Sequence, residues 1–217
     1  MQIEYLGHAS FLITTENGIK IVTDPYQGIG YELPSDLQAD IVTVSHGHFD
    51  HNYTAAVKGK PMLIDCVGKQ RAGGIDFYGE HTFHDPKQGK LRGDNVVFSF
   101  TVDGIRICHL GDLGEAYNEE IVKKIGSVDV LFIPIGGTYT IDAKQAKAYI
   151  EAIAPKIAIP MHYRPIDGCL DIASADGFLR LFNGVQYAKI KDKVNISEND
   201  QTKIIFMERG DKVWITT

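Results

Sequence analysis

The chain has 217 residues, of which 44% are hydrophobic and 23% are charged, and its formal net charge is -6. This composition is typical of a globular protein with one sizeable core, and we expect a single domain that spans residues 1–217. The negative charge argues against a general binder of nucleic acid or anionic membranes, although it leaves room for an anionic small molecule beside a metal ion.

The N-terminus and the cysteines indicate a protein of the cytoplasm. The first residues lack the basic and apolar regions of a signal peptide, and no apolar run approaches the roughly 18 residues that a membrane span needs. The three cysteines, Cys66, Cys108 and Cys169, are far apart and include no C-x-x-C pair. Because an odd number of scattered cysteines does not suit a disulfide framework, we expect free thiols in a reducing compartment. The sequence does not indicate an oligomeric state.

Three short strands are predicted at the start of the chain, over residues 2–6, 10–14 and 19–23. Asn17-Gly18, between the last two, is typical of a hairpin turn. His8 lies in the loop before the second strand, where it is either structural or in contact with a ligand. Asp24 follows the third strand. It either caps the turn, which we favour, or accepts a hydrogen bond from a metal-binding histidine.

A dense group of polar residues follows a predicted buried strand over residues 41–45. Four side chains that can bind a metal fall within six residues here: His46, His48, Asp50 and His51. Gly47 permits a sharp turn, so that the imidazoles can converge. Imidazole and carboxylate groups suit zinc, iron or manganese. A solvated loop without function is the alternative, and three histidines and an aspartate at this spacing make it the weaker one.

A further imidazole could come from the next part of the chain. We expect a short helix over residues 52–58, a strand over 62–66, a polar connection over 68–74 and a strand over 75–83. His81 and His84 compete at the end of the last strand, where the two-residue period of a strand puts them on opposite faces. We select His84, because the loop after the strand can turn it inward, and we keep His81 as the alternative.

A hairpin is predicted next, with strands over residues 96–102 and 105–109. Asp112 follows this apolar strand and Gly111, and one carboxylate can share its two oxygens between two cations. Its alternative role is the N-cap of a helix. His109 would point away from the metals if Asp112 points toward them, so we interpret it as a structural or supporting residue. Arg92, before the hairpin, is either a surface charge or a contact for an anionic group.

The second half of the chain alternates between helices and apolar strands. Helices are predicted over residues 118–125, 143–154 and 174–182, and strands over 128–135, 156–161, 185–190, 203–207 and 212–217. Thr140 or Asp142 is expected to cap the second helix. Tyr139 either leans into a pocket or belongs to an ordinary loop. His162 directly follows a buried strand. Alone it would be a core residue, but beside the other candidates we interpret it as a metal ligand.

Two sets of motifs carry a resemblance to a known family. His-Gly-His-Phe-Asp-His, from His46 to His51, resembles the H-x-H-x-D-H signature of the metallo-β-lactamase superfamily. Gly-His-Ala-Ser around His8, and Thr-Phe-His-Asp around His84 with Arg-Gly-x-Asn from Arg92, resemble its ascorbate-6-phosphate-lactonase-like branch. The resemblance implies an α+β fold, the four-layer αβ/βα sandwich, in which two mixed β-sheets are flanked by helices.

The resemblance also implies a set of site residues. His46, His48 and His84 would bind one divalent cation, Asp50, His51 and His162 would bind a second, and Asp112 would bridge them. From the chemistry of this ligand set we expect Asp50 and His162 to be catalytic: Asp50 would orient the attacking water and move its proton, and His162 or Tyr163 would assist. His8, Arg92 and Tyr139 would contact the substrate.

These residues lead to a hypothesis about the reaction. Two divalent cations, zinc first with manganese or iron as alternatives, would activate a hydroxide for hydrolysis. The expected substrate is a small-molecule ester, lactone or phosphodiester, and the fold alone does not choose among these. Similarity to the lactonase-like branch favours a lactone or phosphoester with an anionic group. The alternative is a non-enzymatic metal-binding or regulatory protein that retains the site, and the complete ligand set argues against it.

Overall fold

The structure is a computed structural model that describes residues 1–182, 187–191, 193–197 and 203–209. Most of the regular structure in this part of the chain is β-strand. The strands are β1 (Gln2–Gly7), β2 (Ser10–Thr14), β3 (Lys20–Thr23), β4 (Ile41–Thr43), β5 (Met62–Ile64), β6 (Gly68–Ala72), β7 (Ile75–Phe83), β8 (Asp94–Val102), β9 (Ile105–His109), β10 (Val130–Pro134), β11 (Ile157–Met161), β12 (Tyr187–Lys191), β13 (Lys193–Asn195) and β14 (Lys203–Glu208).

The strands form two mixed sheets. The first sheet has the order β13-β1-β2-β3-β4-β5, and the second has the order β12-β14-β11-β10-β9-β8-β7-β6. In the first sheet β1, β2 and β3 are antiparallel neighbours, and β3, β4 and β5 are parallel. In the second sheet β6 to β9 are antiparallel, whereas β9, β10, β11, β14 and β12 are parallel. Several strands of each sheet therefore end at one common edge.

The inner faces of the two sheets pack against each other. Phe11 of β2 and Phe132 of β10 are both fully buried, and their ring centroids are 4.2 Å apart. Every residue of β10 and β11 is buried. Removing one large apolar side chain from water contributes about 1.5–3 kcal/mol to folding. The predicted fold class, an α+β sandwich of two mixed sheets, is confirmed.

Short helices complete the fold. They are α1 (Glu119–Ile125), α2 (Ala143–Ile153) and α3 (Asp176–Leu179), and Thr54–Ala56 forms a 3-10 turn. The Asn118 side chain caps α1, and Asp142 forms a capping box with Gln145 at the start of α2. The buried side chains of α2 belong to the same apolar core as β10 and β11. The opposite face of the first sheet is covered by a separate small cluster that includes Leu37 and Val57, from the segment around the 3-10 turn.

Some predicted elements differ from the structure. Residues 68–74, predicted as a polar connection, contain β6, and that prediction was wrong. Because β6 lies at the edge of its sheet and pairs only with β7, it exposes Lys69 and Arg71 and lacks the apolar alternation of an inner strand. The helix predicted over 174–182 is reduced to α3. The strand predicted over 212–217 lies outside the described residues.

The three cysteines are free thiols, with Cys66 and Cys169 exposed and Cys108 buried. Burial raises the pKa of the Cys108 thiol to about 12, so this side chain stays neutral and packs as a small apolar residue. Within the described ranges, no helix is both long and apolar enough to cross a bilayer.

Gly136→Ala is expected to destabilise the fold, because a Cβ at this position would overlap the backbone carbonyl of His162. Such overpacking costs about 1–3 kcal/mol, which urea unfolding monitored by circular dichroism measures. Gly177→Ala is the matched control, since its Cβ would meet no atom within 4 Å. In α3 this change is expected to be neutral or stabilising by up to about 1 kcal/mol. Equal unfolding free energies for the two variants would contradict the close approach of Gly136 to His162.

Candidate metal centre

The polar residues singled out by the sequence converge at the edge where the strands end. His46, His48, Asp50 and His51 lie in the loop after β4, His84 follows β7, Asp112 follows β9, His162 follows β11 and His8 follows β1. The carboxyl ends of strands that run in the same direction share one edge of a sheet, so segments far apart in the chain meet there. Each of these side chains is therefore held by a loop that is anchored in a buried strand.

Three imidazoles form one cluster, which we call the first ligand group: His46, His48 and His84. Their ligand nitrogens lie within 4.8 Å of one another. Nε2 of His46 and Nδ1 of His48 are 3.0 Å apart. His84 is buried whereas His48 is exposed, so this group opens to solvent on the side of His48.

The competing residue at the end of β7 points elsewhere. His81 has a side chain that is 43% exposed, and its Nε2 lies 3.0 Å from the carboxylate of Asp94. His84 is almost fully buried, and its Nε2 lies 3.2 Å from Asp112. The geometry thus brings His84 and not His81 to the cluster, because the chain turns inward just after the strand.

A second cluster lies beside the first, and we call it the second ligand group: His8, Asp50, His51 and His162. Its ligand atoms also lie within 4.8 Å of one another. Nε2 of His8 is 3.3 Å from Oδ2 of Asp50, and the ring centroids of His8 and His162 are 4.1 Å apart. The sequence suggested His8 as a substrate contact. In the structure it lies as close to its neighbours as the three residues predicted for this group.

Asp112 lies between the two groups. Its Oδ2 is 3.2 Å from Nε2 of His84 and 3.1 Å from Nε2 of His162, and its Oδ1 is 3.2 Å from Nε2 of His51. The carboxylate is 2% exposed, and its backbone N–H donates to the side-chain oxygen of Asn95 at 2.8 Å. One side chain therefore contacts members of both ligand groups.

Asp24 fixes the orientation of two of these imidazoles. This fully buried carboxylate accepts hydrogen bonds from Nδ1 of His51 at 2.9 Å and from the Ser45 hydroxyl at 2.6 Å. Because the Ser45 hydroxyl donates its single proton to Asp24, its oxygen accepts from Nδ1 of His46 at 3.0 Å. His84 is held in the same way, since its Nδ1 donates to the carbonyl of Tyr139 at 3.1 Å. In all three imidazoles these contacts occupy Nδ1, so Nε2 is the nitrogen that can offer a lone pair to a cation.

The buried polar atoms of the centre test whether a metal fits it. Among the described residues, Nε2 of His8, Nε2 of His51 and Oδ1 of Asp112 are buried without a hydrogen-bond partner. Nδ1 of His51 already carries the proton donated to Asp24, so the lone pairs of His51 and Asp112 face each other across 3.2 Å. A proton or a cation between them removes this repulsion. Nitrogen and oxygen donors without sulfur fit zinc, manganese or iron.

Burial keeps several imidazoles in the form that binds metals. Burial lowers the pKa of His8 to about 3, and the imidazole of His162 adds to this effect. Burial also lowers the pKa of His46 to about 3, with a further contribution from His51. His51 behaves differently. Burial disfavours its charged form, but Asp112 and Asp24 outweigh burial and raise the pKa of His51 well above its usual value.

The carboxylates of the centre are ionised. Burial acts to raise the pKa of Asp112, but His162 and His51 outweigh it and hold that pKa well below its usual range. Burial is likewise opposed at Asp50, where the imidazole of His8, 3.3 Å away, and the charge of His51 keep the pKa low. The neutral imidazoles of His8 and His46 beside charged carboxylates have the electrostatics that a divalent cation requires.

Three residues of the centre have a left-handed backbone, which is uncommon for residues other than glycine. The φ angles are +56° at His8, +37° at Asp24 and +51° at His162. The N–H of His162 donates to the carbonyl of His8 at 2.8 Å, so two of these residues hold each other. Conformations of this type cost about 1–3 kcal/mol each and persist where the surrounding contacts fix them.

Arg92 and Tyr139 contact each other beside the first ligand group. The guanidinium carbon of Arg92 lies 5.3 Å from the centroid of the Tyr139 ring, and Tyr139 is 36% exposed. The loop that carries Arg92 is anchored by Asp85, whose carboxylate accepts the backbone N–H groups of Arg92, Leu91 and Lys87. These contacts fix a cation and an aromatic ring near His84.

The sequence alone did not predict the full set of contacts that two residues of the centre, Asp24 and His8, make. Asp24 was favoured as a turn cap, yet it orients His51 and, through Ser45, also His46. The available signal was its position at the end of a buried strand in the same sheet as the histidine-rich loop. His8 had a comparable position after β1, but only the packing of the two sheets brings it to His162.

Comparison with known proteins identifies the family. Residues 2–162 match the family model described as a β-lactamase superfamily domain. A protein of Carboxydothermus hydrogenoformans named as a metal-dependent hydrolase is 33% identical over 192 residues, which cover 75% of this chain and 84% of the relative. A protein of Archaeoglobus fulgidus with the same description is 29% identical over 194 residues, which cover 75% of this chain and 83% of the relative.

A solved structure extends the match to nearly the whole chain. It is a Thermotoga maritima protein described as a candidate Zn-dependent hydrolase of the metallo-β-lactamase superfamily, with 37% sequence identity and a TM-score of 0.80. The superposition covers 96% of this chain and 98% of that chain. The chain therefore belongs to the metallo-β-lactamase superfamily.

Proposed function

We propose that this protein is a metal-dependent hydrolase that binds two divalent cations, one in each ligand group. The observation that carries the proposal is the position of Asp112, which contacts imidazoles of both groups through its two buried oxygens. A single carboxylate placed in this way can neutralise part of the charge of each cation. The relatives described as metal-dependent hydrolases support the same class of activity.

The roles of the individual residues follow from the groups. His46, His48 and His84 would hold one cation, and Asp50, His51 and His162 would hold the other with His8 beside it. Asp112 would be shared. Zinc is the first candidate, and manganese or iron also suit these donors. Bound cations would lower the pKa of water and polarise a carbonyl or phosphoryl oxygen of the substrate.

Asp50 is the proposed proton acceptor. It belongs to the second ligand group, and its side chain is 15% exposed, so it is also in contact with solvent. Its carboxylate is ionised and is held 3.3 Å from Nε2 of His8, which limits its movement. A charged carboxylate in this position can orient an attacking water and accept its proton. His162, which contacts Asp112, is the proposed partner in this step.

The proposed substrate is a small-molecule ester, lactone or phosphodiester. Arg92 and Tyr139 form a cation and an aromatic surface beside His84, which suits a substrate with an anionic group. His8 would contact the substrate from the second ligand group. We also infer a cytoplasmic location, because the three thiols are free and two of them are exposed.

Asp112→Asn is expected to lower the metal content from about two equivalents to about one or less, and to reduce turnover by about 100-fold or more. The amide is neutral and cannot share negative charge between two cations. Elemental analysis of protein purified without chelator gives the metal content, and nitrophenyl ester, lactone and phosphodiester substrates with added Zn²⁺ or Mn²⁺ give turnover.

Asp94→Asn is the control for that change, since Asp94 is an exposed carboxylate that pairs with His81 outside the cluster. It is expected to keep both metal content and turnover. Asp112→Asn protein with two equivalents of metal and full turnover would rule out the shared carboxylate.

Asp24→Asn is expected to weaken Zn²⁺ binding by about 10- to 100-fold, as changes to the partners of metal-binding histidines commonly do. Three donors converge on Asp24, from Ser45 and His51, and an asparagine would turn an N–H₂ group toward one of them. A competition titration of Zn²⁺ against a chromophoric chelator measures the change.

Asp40→Asn is the matched control, because Asp40 is an exposed carboxylate that accepts from the backbone N–H of Lys20 away from the centre. It should bind Zn²⁺ like the unchanged protein. Unaltered Zn²⁺ affinity in Asp24→Asn would show that Asp24 does not orient the ligands.

A further inference from the structure

His109 lies outside both ligand groups but contacts the turns that carry His8 and Asp112. It is the last residue of β9 and is fully buried. Its Nε2 lies 2.9 Å from the carbonyl oxygen of Ala9, and its Nδ1 lies 3.1 Å from the backbone nitrogen of Gly111. Ala9 directly follows His8 in the chain, and Gly111 directly precedes Asp112. One ring therefore connects the turn of the first sheet with the turn of the second.

The two hydrogen bonds allow a single protonation state. A carbonyl oxygen only accepts, so Nε2 must carry a proton and donate it to Ala9. The Gly111 N–H only donates, so Nδ1 must offer its lone pair. The ring is therefore neutral and fixed as the Nε2–H tautomer. Burial between Phe11 and Phe132 agrees with this, because burial lowers the pKa of His109.

The turn before Asp112 has little freedom of its own. Gly111 has a φ angle of +54°, and a Cβ there would overlap the side chain of Asn95. Asn95 accepts the Asp112 N–H at 2.8 Å and donates to the Leu110 carbonyl at 3.0 Å. Asn95 thus holds this turn from β8, within the second sheet. His109 reaches across from this turn to the His8 turn of the first sheet.

The turn around Ala9 is held in a similar way. The Ala9 carbonyl also accepts a hydrogen bond from the Thr23 hydroxyl at 2.9 Å, and Thr23 directly precedes Asp24. The carbonyl of Ala9 is therefore the point at which the His8 turn, the end of β3 and the end of β9 meet. If the bond from His109 were removed, Ala9 would keep its hydrogen bond from Thr23, but the hydrogen-bonded connection between the His8 turn and the Asp112 turn would be lost.

We propose that His109 is a positioning residue, which fixes the His8 turn against the Asp112 turn and so sets the distance between the second ligand group and the shared carboxylate. The inference rests on the proposed function, since it concerns the geometry of the same centre. His109 itself touches neither substrate nor metal in this proposal. It acts on the centre only through Ala9 and Gly111.

His109→Phe is the principal test. It keeps an aromatic ring between Phe11 and Phe132 but removes both hydrogen bonds. Metal-depleted protein is titrated with Zn²⁺ against a chromophoric chelator, and the more weakly bound equivalent is expected to lose about 10-fold or more in affinity. His109→Asn, whose side-chain oxygen can still accept from Gly111, should recover part of the loss. His109→Gln, which can still donate to Ala9, should recover another part.

A stability control separates positioning from a general loss of packing. Phe132→Leu trims the core beside His109 without altering either hydrogen bond, and it is expected to lower the melting temperature while Zn²⁺ affinity stays within about two-fold. If His109→Phe bound Zn²⁺ like the unchanged protein, the proposal would be wrong. It would also be wrong if Phe132→Leu lowered the melting temperature as much as His109→Phe does and lost as much Zn²⁺ affinity.

A second readout does not depend on bound metal. Long-range ¹H–¹⁵N correlation of the histidine rings should find His109 as the Nε2–H tautomer both with and without Zn²⁺, and His109→Phe should shift the amide resonances of His8 and Asp112. A charged ring or the Nδ1–H tautomer would overturn the proposal. A wild-type protein that binds no Zn²⁺ would overturn the proposed function instead, and the tautomer and amide shifts would then decide whether His109 links the two turns.

Discussion

The carboxylate of Asp112 is surrounded by imidazoles that come from three different loops, and the local geometry of the centre depends on this arrangement. His51 arrives after β4, His84 after β7 and His162 after β11, and each places Nε2 within about 3.2 Å of one carboxylate oxygen. A buried carboxylate is costly unless it is paired. Asp112 is buried at the edge where strands of both sheets end. The three loops must keep their positions, because their imidazoles offset the cost of burying its charge.

A second buried carboxylate, Asp24, pairs with one of the imidazoles that contact Asp112. Asp24 lies on the far side of His51, so that this imidazole lies between two carboxylates. The Ser45 hydroxyl donates to Asp24 and accepts from His46, so it connects Asp24 to an imidazole of the other ligand group. The two groups are thereby coupled twice, once through Asp112 at the centre and once through Asp24 behind it. Replacing either carboxylate would therefore alter contacts of imidazoles in both groups.

The sequence was sufficient for those parts of the centre that depend on local structure. Four candidate ligands fall in one loop after a buried strand, and their convergence needs only that loop. Asp112 and His162 could be inferred because each follows an apolar strand. His84 could be inferred because it follows the end of a predicted strand, where the loop can turn it inward. The contacts of His8 with Asp50 and His162 could not be inferred, because they depend on how the two sheets pack against each other. The assignment of these residues as ligands remains a prediction.

The difference between local sequence pattern and tertiary packing also explains which strands could be predicted. Inner strands such as β10 and β11 are apolar throughout and were predicted within two residues, whereas β6 was missed because an edge strand can be polar. Asp24 was difficult for a different reason. A carboxylate after a strand can cap a turn or support a histidine, and only the tertiary contact with His51 separates these roles.

The C-terminal strands have a consequence for shortened forms of the chain. The last proposed ligand, His162, follows β11, but β11 gains its second neighbour only when β14 pairs with it. Tyr163, next to His162, donates its hydroxyl proton to the carbonyl of Met207 in β14 at 2.8 Å. All the proposed ligands therefore precede β14, the strand that supports the last of them, in the chain. A chain that stops short of β14 would therefore carry every proposed ligand without this support for His162.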